Sequence, residues 1–124
     1  FFLISIYNYN NNISPFFIIL LLWYPCFETL FSIIRKNIMM KSPMKPDVIH
    51  LHQLIFYFLS IKLKYKVLLI NVITANLINF YNLLIFIVGK HFIFNTKIQI
   101  FLILFNLIIY TSVYFKLYNL KKIK

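Results

Sequence analysis

Three stretches of this chain are apolar for long enough to cross a bilayer, and its charged residues fall between and beyond them. Residues 13–34 form a mostly apolar run of 22, about 33 Å long as a helix at 1.5 Å per residue. The hydrocarbon core to be crossed is about 30 Å thick. Pro15 suits the first turn of that helix, where its missing N–H costs nothing. Pro25 lies inside the run and predicts a kink. A second run covers 67–88 and a third 98–115. Between the first two lies a polar stretch, 35–66, with turn signals at Ser42-Pro43 and Lys45-Pro46. Within it, 48–61 is apolar but too short to span, and is expected as a helix lying at the interface or packed on the bundle, with Asp47 as its N-cap. Residues 1–7 are also too short to span, 8–12 read as a polar turn, 89–97 as a loop and 116–124 as a basic tail.

Charge orients these spans. Of 13 basic residues, seven lie in 35–66 (Arg35, Lys36, Lys41, Lys45, Lys62, Lys64, Lys66). Two follow the second span (Lys90, Lys97) and four lie in the tail (Lys116, Lys121, Lys122, Lys124). This alternation is what three spans obeying the positive-inside rule produce. The loop 35–66 and the C-terminus are therefore expected in the cytoplasm of a multi-pass inner (plasma) membrane protein. The expected fold class is all-α: a polytopic integral membrane protein fragment of three transmembrane helices plus a short cytoplasmic or interfacial helix.

Composition narrows the classes further. The 124 residues are 62% hydrophobic and 12% charged, with a mean hydropathy of +0.85, which excludes a soluble domain, a disordered chain and a disulfide scaffold. The net charge of +11 would suggest nucleic acid in a soluble protein, but here the lysines flank apolar runs, and no nucleic-acid partner is expected. Cys26 stands alone. Ile, Phe, Asn and Lys fill half the chain whereas alanine occurs once, so residues outside that bias carry more information.

Candidate chemistry is sparse. One glycine forbids a phosphate-binding Gly-rich loop, and the zinc-protease, CxxC and GxSxG motifs are missing. Glu28 is the only acid in a spanning run, and Arg35, two helical turns later, shares its face. The pair either lines a cytoplasm-facing cavity or sits near interfacial water. Asp47 and His50 share a helical face, whereas His50 and His52 diverge by about 200° and converge on one ligand only from an extended segment. Asn71, Thr74, Asn79 and Asn82 form a polar stripe on the second span, read either as interhelical hydrogen bonding or as a substrate groove. His91 has no partners, and the tail is a topology anchor that touches anionic membrane lipid.

A longer pattern runs through the same region. It comprises Pro25-Cys26-Phe27-Glu28-Thr29-Leu30-Phe31-Ser32-Ile33-Ile34-Arg35-Lys36, then Ser42-Pro43, then Pro46-Asp47-Val48-Ile49-His50-Leu51-His52-Gln53-Leu54. With these residues the chain resembles the C-terminal part of the polyprenyl-phosphate N-acetylhexosamine-1-phosphate transferases, glycosyltransferase family 4. That group includes the undecaprenyl-phosphate GlcNAc-1-phosphate transferases. The resemblance covers 13–54, and the two later spans suit the family's C-terminal topology. It implies transfer of a sugar-1-phosphate from a UDP-sugar donor to polyprenyl phosphate on the cytoplasmic face, with Mg2+ assisting, for cell-envelope polysaccharide. It further implies that His50 and His52 bind the donor, that Asp47 fixes the loop, and that Arg35, Lys36 and Glu28 support the site. Lys36 departs from the usual second arginine and lacks its planar fork.

The family's catalytic and magnesium-binding aspartates lie upstream of this region. Asp47 is the chain's one aspartate, so no catalytic or metal residue is assigned within it. The expectation is a fragment, inactive by itself, whose partners include the missing N-terminal helices. The alternative is a stand-alone, non-catalytic three-helix protein that binds lipid or a partner membrane protein. A histidine-based metal transport component ranks last. A blot of source membranes with an antibody against residues 116–124 is expected to show a band far heavier than 15.0 kDa; a band at that mass supports the small protein.

Overall fold

The computed structural model describes residues 5, 12–40, 42 and 49–123. Five helices lie between Pro15 and Ile123: α1 (Pro15–Leu21), α2 (Trp23–Ile38), α3 (Leu51–Leu63), α4 (Val67–His91) and α5 (Thr96–Ile123). No strand occurs among the described residues. α4 and α5 are long and apolar enough to cross a membrane, and α1 with α2 makes a third such element if the bent pair counts as one.

The first span departs from the expected kinked helix. It breaks at Leu22, where α1 and α2 meet at 70°. Proline is still the cause. Pro25 offers no N–H to the carbonyl of Leu21, and its ring excludes that carbonyl from the helical position. The chain accommodates it by starting a new helix at Trp23, which places Pro25 in a first turn. The break is thus displaced three residues upstream of the proline. Other boundaries also move. α2 runs past Arg35 to Ile38, and the expected loop 89–97 shrinks to the four residues 92–95. The basic tail is not a separate segment, because α5 continues through it to Ile123. α3 starts at Leu51 with His50 as its N-cap instead of Asp47. Asp47 itself, like the apolar start 1–4 and most of the polar turn 8–12, lies outside the described residues.

At one end of the bundle, polar side chains close the turn between α4 and α5. Asn95 Oδ1 accepts from the Ile98 N–H at 3.2 Å and caps α5. Gln99, fully buried, donates from Nε2 to the carbonyls of Gly89 (2.7 Å) and Phe92 (2.9 Å). The Ser14 N–H donates to Ile93 O at 3.0 Å and fastens the start of α1 to the same turn. α4 and α5 then run antiparallel and are bonded across by Tyr81, which donates to Asn106 Oδ1.

α3 is a half-length helix packed on α4 and α5. Its buried Leu51 and Leu54 join Leu20, Trp23, Ile85, Tyr110 and Tyr114 in the core. Tyr110 lies near its start, and the Lys121 ammonium sits 5.4 Å from the Tyr57 ring, so α3 runs alongside α5 in the same direction. Leu51 is therefore about 18 Å inside the bundle from the Leu63 end. From His50, α3 leads toward the end of the bundle where Lys121 lies.

The asparagine stripe of α4 makes no interhelical bond among the described residues. Asn71 and Asn79 are exposed, Thr74 donates back to Ile70 O, and Asn82 to Ile78 O. The inward face of α4 is instead set by Ile70, Thr74, Ile85 and Gly89.

Gly89 is where α1 crosses α4. A methyl group there would sit 2.6 Å from Leu20 Cδ2, and Leu20 is itself buried. Gly89→Leu is expected to lower stability by about 1–3 kcal/mol through overpacking. Gly89→Ala should cost much less, since alanine recovers about 1 kcal/mol of helix propensity. Unfolding of the micelle-embedded chain by a denaturing detergent checks both.

Candidate functional site

The sequence-predicted residues Glu28, Arg35, His50 and His52 come together where the segment 49–52 meets α2 and α5. Glu28 points into the bundle, its side chain 13% exposed. One carboxylate oxygen, Oε1, accepts from the Leu51 N–H at 2.9 Å and lies 3.0 Å from His50 Nδ1. The other, Oε2, accepts from the Tyr110 hydroxyl at 2.8 Å. An acid on α2 therefore caps α3, occupying the place a capping aspartate would take from its own chain segment. The helix dipole adds a favourable interaction of about 0.3–2 kcal/mol. Gln53 completes the N-terminus, its Oε1 accepting from the His50 N–H at 3.0 Å, the reciprocal half of a capping box.

Arg35 holds the residue before. Its guanidinium donates to Ile49 O at 2.7 Å and to the Tyr114 hydroxyl, which itself donates to Ile49 O at 3.1 Å. The guanidinium carbon lies 5.3 Å from the centre of the Tyr114 ring, within cation–π range. Arg35 is buried. Ile49, His50 and Leu51 are thus gripped one after another by two side chains seven residues apart on α2. Tyr110 and Tyr114, four apart on α5, stand behind them with parallel rings 6.2 Å apart.

Glu28 and Arg35, expected on one helical face, both turn inward to hold the 49–51 segment. The histidine rings come together although only His50, the N-cap, is extended, while His52 lies in the first turn of α3. His50 has φ −71° and ψ 156°, outside the helix, and its ring stacks on that of His52 at 5.7 Å and 11°. His52 is exposed and His50 partly so. With Nδ1 on Glu28, His50 has Nε2 as its remaining ring nitrogen. Lys36 follows Arg35 in the last turn of α2. His91 ends α4, remote from the cluster, with its ring edge-on to Phe92 at 4.8 Å.

Among the described residues no three His, Cys, Asp or Glu side chains gather as metal ligands. Magnesium wants several oxygen donors, usually including carboxylates. The sole carboxylate side chain among the described residues, Glu28, already has both oxygens engaged, so these residues do not fit a magnesium site. Beside the cluster lies a crevice of about 150 Å3 between α4 and α5, walled by Trp23, Tyr24, Ile55, Ile78, Tyr81 and Val113. Its walls are apolar apart from the buried Trp23 Nε1 and the Tyr24 hydroxyl, which lies toward Glu28. Such walls suit hydrocarbon and not a nucleotide.

Tyr110, Tyr114 and Gln53 escape sequence reasoning. The i, i+4 tyrosines are a signal only in retrospect, because nine tyrosines are spread along the chain. Gln53 three residues after His50 is the spacing of a capping box, and it was legible once His50 is taken as the cap. No protein family, curated protein or solved structure matches this chain.

Glu28→Ala strips acceptors from a buried N–H and a buried hydroxyl, at about 1–3 kcal/mol each. It is expected to lower stability by about 3 kcal/mol and to expose the 49–51 segment to proteolysis. Tyr110→Phe removes one bond and should cost about 1 kcal/mol. Detergent unfolding and limited proteolysis of the two variants, compared with Glu28→Gln, test the assignment. Equal behaviour of all three would remove Glu28 from the role of cap.

Proposed function

We propose that the chain is part of a membrane transferase that moves a sugar-1-phosphate, GlcNAc-1-phosphate or a related N-acetylhexosamine, from a UDP-sugar to polyprenyl phosphate. Its share is the donor-recognition segment at 49–52. The observation that carries the reading is the pair of stacked imidazoles on a segment held at three consecutive residues from another helix. Phosphoryl transfer demands little covalent chemistry from the protein and much positioning. A donor-binding group must then be held to a fraction of an ångström by its surroundings, which is what Glu28 and Arg35 supply to His50.

In this reading His50 and His52 touch the donor. Glu28 and Arg35 are positioning residues. Lys36 and Asp47 flank the segment, with Lys36 adding positive charge for the pyrophosphate. Magnesium and the catalytic carboxylates belong to parts of the enzyme outside this chain, and the chain alone is inactive. The bundle lies in the inner membrane, with the end bearing Lys62, Lys64, Lys66, Lys121 and Lys122 in the cytoplasm, where UDP-sugars are. Membrane lipid and the remaining helices of the transferase surround it.

The test uses the three histidines as reporters. With the chain in lipid nanodiscs and its histidines isotopically labelled, UDP-GlcNAc is expected to shift the imidazole resonances of His50 and His52 and leave those of His91 in place. No shift at millimolar donor, or an equal shift at His91, would count against the reading. In an active transferase that contains this segment, His50→Ala should lower transfer roughly tenfold or more, as expected for a lost hydrogen bond to a charged ligand, with membrane insertion unchanged.

A further inference from the structure

The bond between His50 and Glu28 decides where the imidazole carries its proton. Glu28 Oε1 lies 3.0 Å from His50 Nδ1 and also accepts from the Leu51 N–H at 2.9 Å. Oε2 accepts from the Tyr110 hydroxyl at 2.8 Å, and the Tyr24 hydroxyl lies toward the same carboxylate. Donors thus converge on both oxygens, which suits the ionised form, an acceptor only. Two acceptors cannot bond one another, so the proton between Oε1 and Nδ1 belongs to the ring. In a neutral imidazole the other nitrogen is then a bare lone pair. That nitrogen, Nε2, has no hydrogen-bond partner among the described residues, and the His50 side chain is 27% exposed.

The two nitrogens cannot exchange roles by turning the ring over. A half-turn would set a carbon against Oε1 and forfeit the bond, and the backbone on either side is held by Gln53 and Arg35. The polarity of Nε2 limits what it can bind. Phosphate oxygens carry no proton at neutral or basic pH, so a bare nitrogen meets a pyrophosphate lone pair to lone pair. A sugar nucleotide also carries hydroxyls and amide N–H groups, on its sugars, its acetamido group and its base, and these fit. An acceptor aimed at such a group rejects analogues that lack it.

We infer that Glu28 fixes His50 as the Nδ1–H tautomer, and that His50 Nε2 accepts a hydrogen bond from a hydroxyl or amide N–H of the sugar nucleotide, leaving the pyrophosphate to Lys36. The ligand in this inference rests on the transferase reading, whereas the tautomer does not. Glu28 then positions His50 in a second sense, setting which kind of group the imidazole can read as well as where it stands.

Nitrogen NMR of the histidine-labelled chain in nanodiscs, at about pH 8.5 where an ordinary imidazole is neutral, tests both halves. Before ligand is added, His50 is expected to carry its proton on Nδ1 with Nε2 bare. His91, which makes no hydrogen bond among the described residues, should give a mixture of tautomers. Glu28→Gln preserves the His50 pattern, because one amide oxygen can meet both the Leu51 N–H and the Nδ1–H. Glu28→Leu abolishes it, and His50 then matches His91. A proton on Nε2 of the unmodified chain, in the other tautomer or in a charged ring, overturns the inference, as does a pattern that survives Glu28→Leu. UDP-GlcNAc should move the Nε2 signal upfield, as accepting a hydrogen bond does, with the Nδ1 proton retained. Inorganic pyrophosphate should leave it in place. The same shift with UDP assigns the bonded group to the nucleoside, and no shift with UDP assigns it to the hexosamine. An equal shift from pyrophosphate, or a proton gained at Nε2 when the donor binds, overturns the inference and leaves the transferase reading standing. No response of any histidine to UDP-GlcNAc overturns the ligand assignment together with that reading.

Discussion

A carboxylate inside an apolar bundle is costly, and so is a helix that begins there with its first amides unmet. Here each answers the other. Glu28 receives its hydrogen bonds from the Leu51 N–H, the His50 ring and the Tyr110 hydroxyl, and α3 receives an acceptor and a negative charge at its positive end. Neither feature is tolerable alone. The placement of the α3 start and the exposure of the two imidazoles depend on this contact between α2 and residues 49–51.

The contact works because α2 stands at the right angle and distance. Pro25 breaks the first span and turns α2 by 70° from α1. The space between α2 and α5 is filled by rings, with Phe27 and Phe31 edge-on to Tyr110 and Phe31 edge-on to Tyr114 at centroid distances of 4.8–5.5 Å. This spacing is wide enough to admit an extended strand of chain. Arg35 and Tyr114 then close on the carbonyl of Ile49 from two sides. A shorter residue than arginine in this place would forfeit the charged donor to that carbonyl.

Rigid presentation of two histidines is the chemical product of this arrangement. His50 cannot rotate without abandoning Glu28, and its backbone N–H is held by Gln53. Both constraints come from neighbours that face the bundle, so the ring of His52 and the far nitrogen of His50 remain available for a ligand. The crevice beside them is apolar, and α4 carries no charge from Val67 to Gly89.

Much of this was legible in the residues alone. Long apolar runs bounded by lysines define helices, because these follow from periodicity and from the cost of charge in hydrocarbon. The common face of Glu28 and Arg35 follows from helical geometry. What the residues alone left undetermined is which groups satisfy one another across the chain. That Glu28 caps a helix starting 23 residues later, that Tyr110 and Tyr114 brace it from α5, and that Asn79 faces outward while Asn106 is bonded within, are decisions of packing. They arise because a buried polar group must find a partner in three dimensions, and no spacing along the chain specifies one so far away.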